Sequence, residues 1–125
     1  MEAPMEERMD EIDETDERMG ERIVDALGVE VPHEPATDVV AGTPTVGVVE
    51  LEAFRGVELG IWEITPGVVR DVEADEVFVV LEGEGTVRFA DGEVLELRPG
   101  SLVRLVEGER TEWEIRTRLR KVYLA

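Results

Sequence analysis

From residue 39 onward, apolar runs of four to eight residues recur, each stopped by Gly, Pro or Asp. VVELEAF, VELGIWEI, EVFVVLEG, GTVRFAD, EVLELRPG, SLVRLVEG, TEWEIRT and LRKVYLA follow one another with little between them. Runs this short, bounded by turn residues, read as strands rather than helices. Valine supplies 20 residues, and a β-branched side chain suits a pleated, half-buried surface. The densest part is EVFVVLEGEGTVRFADGEVLELRPG, residues 76–100. Its Glu82-Gly83-Glu84-Gly85 and Asp91-Gly92 segments predict tight turns, with glycine where φ must be positive. Many short antiparallel strands at regular spacing predict a sandwich or barrel.

The first 36 residues differ. PMEERMDEIDETDERMGERIVDAL, residues 4–27, predicts an acidic helix, with Met5, Met9, Ile12, Met19 and Ile23 on one stripe and Gly28 as its stop. A Met-rich stripe of this kind packs on its own domain or on a sister subunit, so a homodimer is expected. VEVPHEPATD, residues 29–38, reads as a linker, and its His33, the sole histidine, as a solvated surface residue. Two parts result: a helix and linker over 1–36, and an all-β domain over 37–125.

Charge narrows the function classes. Thirty-one acids against 13 bases give a net charge of −18. Such a surface repels nucleic acid and anionic membranes, so neither is an expected partner. Twelve of the bases are Arg and Lys121 is the only Lys, a balance that fits adaptation to high salt. No cysteine is present, which excludes disulfides and thiolate metal sites. The acidic start lacks a signal-peptide h-region, and a soluble cytoplasmic protein is expected.

The segments GIWEITPG, EVFVVLEGEG, DGEVLELRPGSLVRLVEGERTEWEI and RKVYLA, in that order, resemble the cupin superfamily. More narrowly, they are similar to the short single-domain cupins grouped with ureidoglycine aminohydrolase and an ethanolamine-utilisation protein. The likeness spans residues 46–125 and implies a cupin jelly-roll β-barrel. The first cupin motif ends in Glu, six residues, then Gly, here Glu76 and Gly83. The second begins at Gly100 and ends at Val106-Glu107-Gly108, where the motif's proline is missing.

The resemblance also implies a metal site made of an H-x-H pair, the motif Glu and a third His. Here Arg70 and Val72 fall at or within one residue of the H-x-H positions, and Thr111 takes the place of the third His. Only Glu76 remains, and one carboxylate with one hydroxyl cannot hold Zn²⁺, Fe²⁺ or Mn²⁺. No cofactor is expected. A hard cation between Glu76 and Asp71 is a minor alternative.

Alternation along strands gives a candidate lining. With Glu76 inward, Phe78 and Val80 are inward; with Thr111 inward, so are Trp113 and Ile115. The expected ligand site is therefore Trp62, Arg70, Glu76, Phe78, Thr111 and Trp113, with Arg104 or Tyr123 at the rim. Arg70 would anchor a carboxylate or amide, or else pair with Glu76. Glu63 and Glu114 are expected in solvent, as are Asp71, Glu73 and Asp75 in a loop. Three functions follow: a small polar metabolite bound without a histidine-held metal, an enzyme acting on a small nitrogen compound with Glu76 as general acid/base, or a dimerising module.

Overall fold

The structure is a computed structural model that describes residues 22–125. Nine strands form one sheet among these residues. They are β1 (Glu34–Pro35), β2 (Val39–Ala41), β3 (Thr45–Phe54), β4 (Val57–Ile64), β5 (Gly67–Val72), β6 (Glu76–Phe89), β7 (Val94–Leu97), β8 (Leu102–Leu105) and β9 (Arg110–Leu124). All pairings are antiparallel. No helix occurs among the described residues. The predicted helix over 4–27 lies mostly outside them. Its last residues, 22–27, enter a turn instead, in which the Val29 N–H donates to the Asp25 carbonyl at 2.9 Å.

β6 and β9 make the spine. Along one edge β9 pairs with β6; along the other it pairs first with β5 and then with β4. β6 carries β8 and β7 on its free edge. Two pairs of sequence runs thus join into single long strands: EVFVVLEG with GTVRFAD, and TEWEIRT with LRKVYLA. The expected turn at 82–85 is a bulge inside β6, with three register shifts against β9 between Val80 and Gly85. Bulges of this kind bend a strand and increase its twist. Gly83 has φ +96°, and a Cβ there would overlap the Arg118 carbonyl of β9, so only glycine fits. The Asp91-Gly92 turn forms as expected, with Gly92 at φ +101°.

The bend curls the sheet around a core of Ile64, Val69, Phe78, Val80, Val87, Phe89, Leu97, Val103, Leu105, Trp113, Ile115 and Leu119. Phe78, Val80, Trp113 and Ile115 all face inward, as alternation requires. A second cluster of Val31, Val49 and Ile61 lies on another face of the sheet, where Ala26 and Val29 cover it. The expected linker is therefore built into the fold. β1 pairs with β3, and Arg120 donates from Nη1 to the Ala26 carbonyl and from Nη2 to the Val29 carbonyl, both at 2.9 Å.

This cover corrects two expectations. Glu63 is only 3% exposed rather than solvated. Its Oε2 accepts from Arg120 Nε at 2.8 Å, and Arg118 lies 3.3 Å away. His33 is not free in a linker either: Nε2 bonds Glu63 Oε1 at 2.7 Å and Nδ1 bonds Thr45 Oγ1 at 2.9 Å. Burial disfavours the Glu63 carboxylate, but the His33 bond and the Arg120 and Arg118 charges outweigh it and hold its pKa below the usual value. Glu114 does reach solvent, paired with Arg88 at 2.9 Å.

Candidate functional site

A cavity of about 240 Å³ opens on the concave side of the sheet. Alternating residues of five strands converge on it: Val48 and Glu50 from β3, Trp62 from β4, Val69 and Asp71 from β5, Glu76 from β6, and Trp113, Lys121 and Tyr123 from β9. Glu73, just beyond β5, completes the wall.

Lys121 defines the site. It is 5% exposed, and its ammonium donates to Glu76 Oε2 at 2.6 Å. Its Nζ lies 4.1 Å from the ring centroid of Phe78, 4.6 Å from that of Trp62 and 5.1 Å from that of Trp113. Three aromatic faces and a carboxylate thus enclose one cation, each face contributing through its ring quadrupole. Burial pushes the Lys121 pKa below its ordinary value, against the opposing pull of Glu76, Glu73 and Asp71. Cross-strand pairing sets this arrangement, because Trp62 and Lys121 are direct partners between β4 and β9.

Within the cavity wall Glu73 is buried and hydrogen-bonded. Its Oε2 accepts from Thr111 Oγ1 at 2.6 Å and from Trp113 Nε1 at 3.0 Å. Burial nevertheless raises its pKa, the two hydrogen bonds opposing and nearby Asp71 adding to the rise. The Asp71 carboxyl is also pushed up by burial, its backbone hydrogen bond from Val72 opposing. The Tyr123 phenol is pushed up by burial and by Glu50, Glu58 and Glu76.

Of the expected site residues, the structure brings Trp62, Glu76, Phe78 and Trp113 together around Lys121. Tyr123 lines the cavity, while Arg104 is exposed on β8 and lies apart from it. Thr111 sits behind the wall, holding Glu73. Arg70 is the clear correction. Its side chain is 69% exposed and pairs with Glu112 at 3.4 Å, pointing away from the cavity. The inward frame of β5 is one residue out of step with Arg70 and Val72: Val69 and Asp71 face in. Glu76 consequently pairs with Lys121, not Arg70. Glu73 is buried at the cavity rather than in a solvated loop; Asp71 is exposed to solvent, as is Asp75, but Asp71 also lines the cavity.

The donor set does not fit a transition metal. Among the described residues no three His, Cys, Asp or Glu side chains are grouped for one ion. A lysine ammonium already neutralises the motif carboxylate of Glu76.

Lys121 was missed because it lies outside the two cupin motifs that supply the usual ligand positions. The available signal was its alternation with Trp113, Ile115 and Tyr123 along one strand, together with its being the only Lys in the chain.

A curled antiparallel sheet with a cavity in its concave side, a motif Glu at the cavity and a glycine seven residues later defines a small cupin. The family model for the EutQ-like cupin domain matches residues 51–123, and the chain belongs to that family. Among solved structures it is similar to the Clostridium difficile EutQ protein, with a TM-score of 0.64 at 16% identity over 82% of this chain and 83% of that one. A putative ethanolamine utilization protein from Salmonella typhimurium superposes with a TM-score of 0.57 at 20% identity, over 77% of this chain and 93% of that one. A Pseudomonas syringae protein of unknown function gives a TM-score of 0.69 at 19% identity, over 81% of this chain and 46% of that one. At these identities the structures share the fold. No curated protein matches the chain.

Proposed function

We propose that this cupin binds a small, hydrogen-bond-donating metabolite in the cavity, without a histidine-held metal. The observation that carries the reading is the charge balance of the lining: Glu50, Asp71, Glu73 and Glu76 against Lys121 alone. A carboxylate ligand would meet repulsion there, and Arg70 is not available to anchor it. A neutral or cationic ligand rich in N–H or O–H groups finds acceptors, with Trp62 and Trp113 as apolar walls. Small amino alcohols, amides and polyols have this chemistry and suit a cavity of about 240 Å³. Two structural relatives, one named for ethanolamine utilization and the other EutQ itself, make an amino alcohol the natural first probe.

The test is a thermal-shift and calorimetry series with ethanolamine, acetamide, glycerol and acetate, on the parent chain and on Asp71→Asn. Saturable binding of a donor-rich probe, weakened in Asp71→Asn and absent for acetate, supports the reading. Preference for acetate, or no binding across the series, refutes it.

One observation favours a second reading, acid–base chemistry on such a ligand. Glu73 is buried at the cavity with its pKa raised, the direction of shift that favours a carboxyl holding a proton it can give. Glu76, tied to Lys121, is the less suited of the two. Turnover of an amide or amine that disappears in Glu73→Gln, with the melting temperature kept, would establish it.

A further inference from the structure

The chain places twelve Arg wherever else it needs a base, and its one Lys is buried in the cavity wall. A fixed cation for Glu76 does not require an amine. An amine has one capacity a guanidinium lacks at ordinary pH: once deprotonated it is a nucleophile. Lys121 has the surroundings for that step. Its Nζ is 2.6 Å from a carboxylate able to take its proton. Phe78, Trp62 and Trp113 exclude water on the other sides. Lys121 also lines the cavity, which has room for a small molecule.

We propose that Lys121 captures a small aldehyde or ketone as an imine, with Glu76 as the proton carrier. The Lys121 ammonium gives a proton to the Glu76 carboxylate. The freed Nζ lone pair forms a bond to the carbonyl carbon as the C=O π pair moves to oxygen. One N–H proton passes to that oxygen, giving a neutral carbinolamine. The proton held by Glu76 goes to the hydroxyl, the C–O bond breaks, and water leaves. The nitrogen lone pair closes the C=N bond. The products are one iminium, one water and the Glu76 carboxylate, with no oxidant or reductant. The iminium carries its positive charge where the ammonium had it, against Glu76 and the three rings, so the site needs no reorganisation. Burial supports the first step, because it lowers the Lys121 pKa. The acidic lining selects hydroxy- or amino-carbonyl compounds over keto acids.

The inference rests on the reading that the cavity admits a small donor-rich molecule. Its test uses glycolaldehyde with cyanoborohydride at neutral pH on the full chain, followed by intact mass and peptide mapping. The expected result is a single hydroxyethyl group on Lys121, formed faster than on the same chain in urea, because burial lowers the amine pKa. Glu76→Gln, which keeps the amine and removes the proton acceptor, should slow labelling. Lys121→Arg should abolish it with the far-UV circular dichroism unchanged. Labelling confined to the N-terminal amine, or equal rates in folded and urea-unfolded chain, overturns the proposal, and neither readout needs a variant to fold. A thermal shift with ethanolamine but no Lys121 adduct overturns the imine and leaves the binding reading standing. Failure of both removes both.

Discussion

At the scale of single residues, the buried Lys121–Glu76 pair governs the interior. Two charges taken from water repay desolvation only while both are present, so removing one partner is worse than removing both. Lys121→Met is expected to lower the unfolding free energy at neutral pH by about 3 kcal/mol, at the low end for a buried pair because Glu76 keeps some solvent contact. Adding Glu76→Leu should recover much of that. Urea titrations of the two variants and the parent check it, and a double variant no more stable than Lys121→Met would contradict it.

Two buried carboxyls should also respond to pH with opposite signs. Glu73 has its pKa raised by burial, so what it contributes to the fold is present below the unfolded pKa and lost as pH rises through the folded one. Glu63 has its pKa lowered, with burial opposing and His33 and Arg120 prevailing; its contribution is present above the unfolded pKa and lost as pH falls through the folded one. Relative to the parent, Glu73→Gln should therefore gain stability as pH rises above about 4.5, while Glu63→Gln should lose it as pH rises toward about 4.5 from the acid side. Melting curves on both sides of that pH give the two slopes.

At the scale of elements, the β6–β9 ribbon and the segment laid over the second cluster carry the architecture. Gly83 is held at φ +96° with the Arg118 carbonyl where a Cβ would go. Gly92 has a similar φ and open space around it. The pair separates backbone strain from collision. Gly92→Ala should cost about 1 kcal/mol, and Gly83→Ala about 3 kcal/mol or more with loss of the bulge. Chemical denaturation of both variants decides it, and equal losses would mean that the close approach at Gly83 contributes nothing. The second cluster depends on Arg120, whose guanidinium ties Glu63 to the carbonyls of Ala26 and Val29. Arg120→Met should release residues 22–33 before the sheet melts, seen as early amide exchange in that segment alone.

At the scale of the whole molecule, a net charge of −18 on 125 residues opposes compaction by self-repulsion. Raising KCl from about 0.1 M to about 1 M shortens the Debye length from about 10 Å to about 3 Å, and the melting temperature should rise with it. A melting temperature indifferent to KCl would argue against salt adaptation. The internal pairs respond differently. Lys121–Glu76 and Arg120–Glu63 are shielded from solvent ions, so salt should stabilise Lys121→Met and the parent alike.

The sequence by itself determined the all-β class, the glycine turn at 91–92, the inward faces of Phe78, Val80, Trp113 and Ile115, and the cupin family, because strand periodicity and turn chemistry are local. That Trp62, Glu76 and Trp113 line one cavity was legible for the same reason. Tertiary structure alone decided three things. It joined short apolar runs into the long β6 and β9, since a bulge and a turn share the same glycines and only a partner strand tells them apart. It set the frame of β5, turning Arg70 out and Asp71 in, because a shift of one residue reverses every side chain of a strand. And it buried Glu63 and Lys121 and half-buried His33, three groups whose polarity predicts solvent, by supplying each with a partner distant in sequence: Glu63 and His33 with each other 30 positions apart, and Lys121 with Glu76 across 45.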